Sequence, residues 1–126
     1  MVDHLDWDQP IGLLMCGILH YILDEKNPAE IVGTLYRALP RGSYVFIHHL
    51  LDLQDPAAAT LQEQMRAGLG RAQFRTRAQI LKLFDGLEPV EPGLVLVPDW
   101  RPGPGTPGVR HHPVLQMAAV GVARKP

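Results

Sequence analysis

The side chains best suited to acid–base or metal chemistry are six histidines and one cysteine. An imidazole can act as a general base near neutral pH. Cys16 and His20 are four residues apart and would share one face of a helix, but a zinc site needs three or four ligands. His48 and His49 are neighbours, and neighbours in a strand point to opposite faces. The spacing therefore supports no metal site.

Other chemistries lack their motifs in these 126 residues. There is no Gly-x-Ser-x-Gly elbow and no phosphate-binding loop. Cys16 lies inside an apolar run, which predicts a buried, inert thiol rather than a nucleophile. The pair His111-His112 lies in a Pro- and Gly-rich segment and is predicted to be a solvated loop.

Composition narrows the class of protein further. The 12 Lys and Arg balance 13 Asp and Glu without a basic stripe, so nucleic-acid binding is not expected. The longest apolar run, Ile11 to Leu19, is far shorter than the roughly 20 residues of a membrane helix. A single cysteine excludes an internal disulfide and is typical of a reducing compartment. We therefore expect a cytoplasmic protein that does not insert into a membrane.

The first half of the chain predicts a strand–helix–strand unit. Ile11 to Cys16 is a continuous apolar run, as in a strand buried on both faces, although a buried helix has the same pattern. Asn27 and Glu30 predict a capping box for a helix from about Pro28 to Leu39. Ser43 to Ile47 is rich in β-branched and aromatic residues and predicts a second buried strand.

The second half predicts two helices followed by two strands. One helix begins at Pro56 and ends at Gly68 and Gly70, and a second follows a capping box that starts at Thr76. Strands are predicted at Leu94 to Val97 and Leu115 to Ala123, joined by a Pro/Gly loop without a helix. Alternating strands and helices indicate a parallel α/β sheet, and the helix-free connection indicates an antiparallel pair at its end.

Three segments carry a resemblance to a known family: Asp8-Gln9-Pro10-Ile11-Gly12-Leu13-Leu14-Met15-Cys16-Gly17-Ile18-Leu19-His20-Tyr21, Leu39-Pro40-Arg41-Gly42-Ser43-Tyr44-Val45, and Phe84 to Val95 followed by Trp100-Arg101-Pro102. In this order they resemble the C-terminal half of class I S-adenosylmethionine-dependent methyltransferases. The third segment is similar to a bacterial branch of S-adenosyl methyltransferases of unassigned substrate. The resemblance implies a partial Rossmann-like sheet, from the fourth to the seventh strand, with an antiparallel closing hairpin.

The resemblance also implies a function and the residues that would carry it. It implies one partial domain over residues 1–126, methyl transfer to a small acceptor, and S-adenosylmethionine as cofactor. Cys16, Gly17 and Ile18 would contact the cofactor, although Gly17 and Ile18 are equally explained by turn geometry and packing. His20 and His49 would be candidate catalytic bases. Alternatively, His20 is a helix-start or surface histidine with a water partner, and His49 is a strand-end histidine.

Two expectations follow from what this sequence lacks. It has no Gly-x-Gly-x-Gly loop after a first strand and no acidic residue ending a second strand. We therefore expect the chain by itself to bind S-adenosylmethionine weakly. We also expect the Ile11 to Cys16 strand to be an open edge that uncovers Leu13, Leu14 and Met15. It would pair with a second copy or a complementary half-domain, and a non-catalytic partner module is the alternative function.

One expectation concerns the order of strands within the sheet. The Leu115 to Ala123 strand should insert between the Ser43 to Ile47 and Leu94 to Val97 strands, as in the closing arrangement of the family. Its apolar sequence would otherwise lie at an edge. In the Pro/Gly loop, Trp100 and Arg101 either stack on a substrate or pin the loop to the sheet, and we favour the second interpretation.

Overall fold

The computed structural model describes residues 4–104 and 113–126. Strands and helices alternate in the first half, and short strands follow in the second. The elements are β1 (Gly12–Cys16), α1 (Pro28–Ala38), β2 (Tyr44–Leu50), α2 (Pro56–Leu69), α3 (Arg77–Lys82), β3 (Glu88–Pro89), β4 (Val95–Leu96) and β5 (Ala118–Arg124), with short 3₁₀ helices at Leu19–Tyr21, Asp24–Lys26, Val97–Asp99 and Pro113–Met117.

The sheet has the predicted mixed topology. β1 is parallel to β2, and β5 lies antiparallel between β2 on one side and β3 and β4 on the other. The insertion of the last strand is therefore confirmed, as is the antiparallel pairing of β4 with β5. The described part of their connection contains short 3₁₀ helices at Val97–Asp99 and Pro113–Met117. Among the described strands, β1 pairs with β2 alone. The α/β fold class predicted from the alternating pattern is confirmed.

Helix caps follow the predictions in part. The Thr76 capping box is present: the Gln79 amide donates to Thr76 Oγ1 at 3.3 Å, and the Thr76 amide donates to Gln79 Oε1 at 2.9 Å. The box predicted at Asn27 and Glu30 is wrong. Asn27 has φ 49° and its side chain makes no cap bond, while Glu30 pairs with Arg37 at 3.0 Å. An i, i+7 ion pair has replaced the local cap.

The predicted boundaries are least accurate in the closing strands. β5 begins at Ala118 because the preceding residues, Pro113–Met117, form a 3₁₀ helix. β4 has two residues because the chain enters another 3₁₀ helix at Val97, next to Pro98. β3 was not predicted, since a two-residue strand that contains proline has no periodic signal.

One face of the sheet carries the main core. Met15, Val45 and Ile47 pack there with Val32 of α1 and Leu83, which follows α3. Leu13 is partly buried on the same face, whereas Leu14 points the other way and is 70% exposed. The exposure expected of Leu14 is confirmed and that expected of Met15 is wrong, because the period of two places Met15 beneath the helices.

No helix in the described residues combines the length and hydropathy needed to cross a bilayer.

Substitution of Gly86 tests how closely the turn after α3 packs against Tyr36 of α1. It has φ +86°, and a Cβ atom there would overlap the Tyr36 hydroxyl. Strain and overlap together should make Gly86→Ala lower the free energy of unfolding by about 3 kcal/mol. The matched control is Gly68→Ala, because a Cβ at Gly68 meets nothing within 4 Å. That variant should be about 0.5–1 kcal/mol more stable than wild type. Urea unfolding measures both, and equal effects would contradict this account.

Candidate functional site

The candidate site lies where the parallel strands β1 and β2 end. Cys16 is the register partner of His48, and the Gly17 amide donates to the His48 carbonyl at 3.1 Å, which closes the pair. Carboxyl ends of parallel strands form the ligand crevice in open α/β sheets. Three predicted site residues, Cys16, Gly17 and Ile18, therefore occupy the turn that leaves β1 at this crevice.

Gly17 turns the chain sharply at this point. Its φ of +62° is strained for residues with a Cβ atom. A Cβ there would lie 3.5 Å from His20 Cε1 and 3.6 Å from His48 Nδ1. The following 3₁₀ helix, Leu19–Tyr21, buries Leu19 in the core and folds His20 back toward β2. Because Gly17 has no side chain, the imidazoles of His20 and His48 both lie close to its backbone.

His20 is buried, contrary to the alternative of a surface histidine. It is 4% exposed, and its Nδ1 atom has no hydrogen-bond partner among the described residues. Burial first, and then the charges of His48 and Arg75, lower the pKa of His20 to about 4. His20 is therefore a neutral imidazole near pH 7 whose Nδ1 atom is buried without a partner among the described residues.

His49 is also buried, but both of its nitrogens are engaged. Arg75 Nη1 lies 2.9 Å from Nε2, and the Leu50 carbonyl lies 2.7 Å from Nδ1. A guanidinium only donates, so Nε2 accepts and Nδ1 carries the proton. Burial lowers the pKa of His49 to about 4. His48 lies half-buried on the opposite face, as the strand pattern predicted.

Arg75 connects the two strand ends and was missed by sequence reasoning. It is fully buried, immediately before the Thr76 capping box, and its backbone bonds to Leu50 and Asp52. Nothing in the sequence distinguishes it from the exposed Arg71 and Arg77 nearby, because each lies in the same short polar stretch. Its burial depends on acceptors that come from distant parts of the chain.

The comparisons with known proteins agree with this architecture. A family model described as S-adenosyl methyltransferase matches residues 1–126. The chain belongs to this S-adenosyl methyltransferase family. The resemblance of the three sequence segments is therefore confirmed. No curated protein matches the chain at a significant level.

Solved structures show how much of the family fold the chain represents. A DUF574 family protein from Streptomyces avermitilis has a TM-score of 0.90 at 33% identity, covering 100% of this chain and 48% of that protein. A candidate methyltransferase from Thermobifida fusca has a TM-score of 0.88 at 32% identity, with coverages of 98% and 46%. An O-methyltransferase family 2 protein from Planctomyces limnophilus, in complex with apigenin, shares the fold at 17% identity, with a TM-score of 0.62 and coverages of 97% and 33%. The chain spans about half the length of the first two structures.

Cys16 departs from its prediction. The thiol is exposed at the end of β1, not buried, because the alternation of the strand places it on the side of Leu14, opposite the buried Met15. In residues 4–104 and 113–126 no group of three His, Cys, Asp or Glu side chains could hold a metal ion. His111 and His112 lie outside the described residues.

Other features lie apart from the strand ends. Arg101 donates to the Glu91 carbonyl at 2.9 Å and lies 5.3 Å from the Trp100 ring, which supports loop pinning over substrate stacking. A cavity of about 230 Å³ beside Phe84 and Leu94 contains none of the predicted site residues in its lining. The predicted site residues of this methyltransferase family member all lie at or next to the β1 and β2 ends.

The lowered histidine pKa values predict a pH dependence of stability. His20 and His49 bind protons less readily in the folded chain than at their ordinary pKa of 6.5. The free energy of unfolding is therefore highest above pH 6.5, where both imidazoles are neutral in the folded and the unfolded chain. It decreases as the pH falls toward 4, by on the order of 3 kcal/mol per histidine. Urea unfolding between pH 7.5 and 4.5 measures the loss. His20→Gln should have a flatter profile than wild type.

The exposed His4 provides the control for this measurement, since His4→Gln should leave the pH profile as in wild type. Identical profiles for His20→Gln and wild type would contradict the burial argument.

Proposed function

We propose that this chain forms the acceptor-facing part of a methyltransferase site that transfers the methyl group of S-adenosylmethionine to a small acceptor. The observation that carries the proposal is His20, a buried neutral imidazole with an unpartnered Nδ1 at the carboxyl end of β1. An orphaned buried polar atom is costly unless a ligand satisfies it. Membership of the S-adenosyl methyltransferase family over residues 1–126 supports the choice of cofactor.

The turn after β1 fits one side of the cofactor. Cys16 and Ile18 are exposed, and Gly17 has no side chain between them, so a ligand can approach the backbone closely. We assign these three residues to cofactor contact. The bound sulfonium supplies the reactive methyl group. The residues of this chain orient the reacting groups and exclude water.

The charge of the site suits a cationic ligand. His20 and His49 are neutral near pH 7, so neither repels a positive sulfonium. The Arg75 charge is paired with the Asp24 carboxylate at 2.9 Å. The pKa of Asp24 is lowered by its bonds to Gln73 and Arg75, so its carboxylate stays ionised. A net positive site would have disfavoured the same ligand.

The two candidate bases have different capacities. His20 Nδ1 can accept a hydrogen bond or a proton from an acceptor group at the crevice. His49 has no free nitrogen, so we assign it to holding the surrounding groups in place. On this proposal His20 is the general base and His49 acts through its neighbours.

The other half of the cofactor grip is assigned to parts of the fold outside these residues. The chain covers 48% and 46% of its two most similar solved structures named above. Each charge-assisted bond absent from this chain is worth about 1.5–3 kcal/mol. We therefore treat residues 1–126 as one partial domain whose affinity for the cofactor is low.

The single cysteine of the chain is a free, exposed thiol, and we place the protein in the reducing cytoplasm.

Titration with S-adenosylhomocysteine, followed by amide NMR, tests the cofactor assignment. We expect a millimolar dissociation constant and shifts confined to residues 16–20 and 48. Gly17→Ala should abolish the shifts, because its Cβ fills the space beside His20 and His48. Gly12→Ala, at the other end of β1 with nothing within 4 Å, should bind as wild type.

Two outcomes of the titration contradict the proposal. A micromolar dissociation constant would show that these residues hold the cofactor by themselves. Shifts centred on the cavity beside Phe84 would place the ligand elsewhere.

The open edge favours a second candidate function, that of a partner module. β1 pairs with β2 alone among the described strands, and Leu14 in its centre is 70% exposed. An uncharged edge with an apolar face is a template for another strand. A complementary half-domain or a second copy would satisfy it. In a solution of the purified chain the second copy is the occupant, so we propose self-association through β1.

Sedimentation tests this edge. Wild type should self-associate at tens of micromolar, and Leu14→Lys should shift the chain toward monomer, because a buried lysine charge is costly at a strand interface. Leu69→Lys is the matched control, since Leu69 is 61% exposed on α2, away from the edge. A monomeric wild type unaffected by Leu14→Lys would exclude the edge as an interface between copies.

A further inference from the structure

The strongest unassigned feature of the molecule is the buried guanidinium of Arg75. Its side chain is 2% exposed, yet it faces no substrate crevice of its own. An arginine keeps its charge in proteins, so burial requires a partner for every N–H group. The acceptors that Arg75 has found show what the residue does.

All five N–H donors of Arg75 have acceptors. Nη1 donates to the Leu19 carbonyl and to His49 Nε2, both at 2.9 Å. Nη2 donates to the Ile22 carbonyl at 2.7 Å and to Asp24 Oδ1 at 2.9 Å, and Nε donates to the same carboxylate oxygen at 3.2 Å. Three of these acceptors belong to the turn that carries His20.

A second set of bonds joins the same turn to the segment before α3. The Gln73 amide donates to the His20 carbonyl at 2.7 Å. The Gln73 side chain donates to Asp24 Oδ2 at 2.7 Å and accepts from the Asp24 amide at 2.9 Å. The Arg75 backbone is itself bonded to the end of β2 through Leu50 and Asp52. The guanidinium therefore spans from β2 to the turn after β1.

We propose that Arg75 is a positioning residue of the site. Together with the Leu50 carbonyl it holds His49 in the neutral Nδ1–H tautomer, and it fixes the Leu19–Asp24 turn so that His20 faces the crevice. The consequence for catalysis rests on the proposed function. The tautomer and the turn do not, since both are properties of the chain without ligand.

The tautomer of His49 is the most direct readout. Imidazole ¹H–¹⁵N spectra at pH 7 distinguish a protonated Nδ1 from a protonated Nε2, and wild type should show Nδ1–H. Arg75→Lys keeps the charge but removes two of the five donors. We expect His49 to leave the pure Nδ1–H form in this variant, a change that a loss of stability alone does not produce.

Arg77→Lys is the matched control for the tautomer. Arg77 also donates to a backbone carbonyl, that of Leu94 at 2.9 Å, but lies on α3 with an exposed side chain. It should leave His49 as in wild type. A folded Arg75→Lys in which His49 remains purely Nδ1–H would overturn the proposal.

Asp24→Asn tests the same role without removing the buried charge. Asp24 has a 63% exposed side chain, so this variant is expected to fold. Loss of its ionic bonds to Arg75 should speed amide hydrogen exchange at Tyr21 and Ile22, which close the turn, by about tenfold. Asp85→Asn, an exposed carboxylate in the turn after α3, is the control. Unchanged exchange at Tyr21 and Ile22 in Asp24→Asn would overturn the positioning role.

Ligand binding separates this proposal from the proposed function. If S-adenosylhomocysteine shifts no wild-type resonance while Arg75→Lys still changes the His49 tautomer, methyl transfer is contradicted and the positioning role stands. If wild type binds and Arg75→Lys binds equally with an unchanged tautomer, the positioning role is wrong and the proposed function stands.

Discussion

The burial of one positive charge constrains the rest of the site. Moving an unpaired guanidinium out of water costs several kcal/mol, and a fully bonded one recovers much of that cost. Arg75 recovers it by using five donors on acceptors from the β1 turn and the end of β2. Displacement of any of these acceptors leaves a buried donor unpaired. The segments around Arg75 are consequently fixed relative to one another.

This constraint explains why the two buried histidines differ. The guanidinium occupies Nε2 of His49 and leaves its neighbour His20, whose ring centroid is 5.7 Å away, without a partner on Nδ1. The same positive charge lowers the pKa of both imidazoles, in addition to burial. Arg75 thus makes His49 a supporting group, whereas burial is the main reason that His20 is neutral.

The elements were predictable to the extent that their signals are local. The strands other than β3, the three α-helices and the position of β5 followed from apolar periodicity, turn residues and the family resemblance. The failures have non-local causes. In Leu13-Leu14-Met15-Cys16 every residue is apolar, so the sequence does not show that alternate side chains face the helices or solvent. The capping box predicted at Glu30 does not form, because Glu30 pairs with Arg37, a residue about one turn beyond the range of a capping motif.

The site itself was predictable only as a set of positions. The resemblance located His20, His49 and the Gly17 turn, because these follow strand ends in a known order. It could not assign them different chemistry, since that depends on Arg75, which is 55 residues from His20 in sequence and adjacent in space. A buried arginine has no sequence signature of its own, because its acceptors here, two backbone carbonyls and the side chains of His49 and Asp24, lie 26 to 56 residues away in the sequence.

The rigidity of the turn after β1 has a consequence for the catalysis that we propose. Leu14, Phe46 and Val122 are register partners across β1, β2 and β5, and Leu14 is largely exposed on the face opposite the core. A group placed against this side of the sheet meets a site whose turn is already held by protein hydrogen bonds. Binding energy is then not spent on ordering the turn, which is how preorganised sites gain affinity and rate.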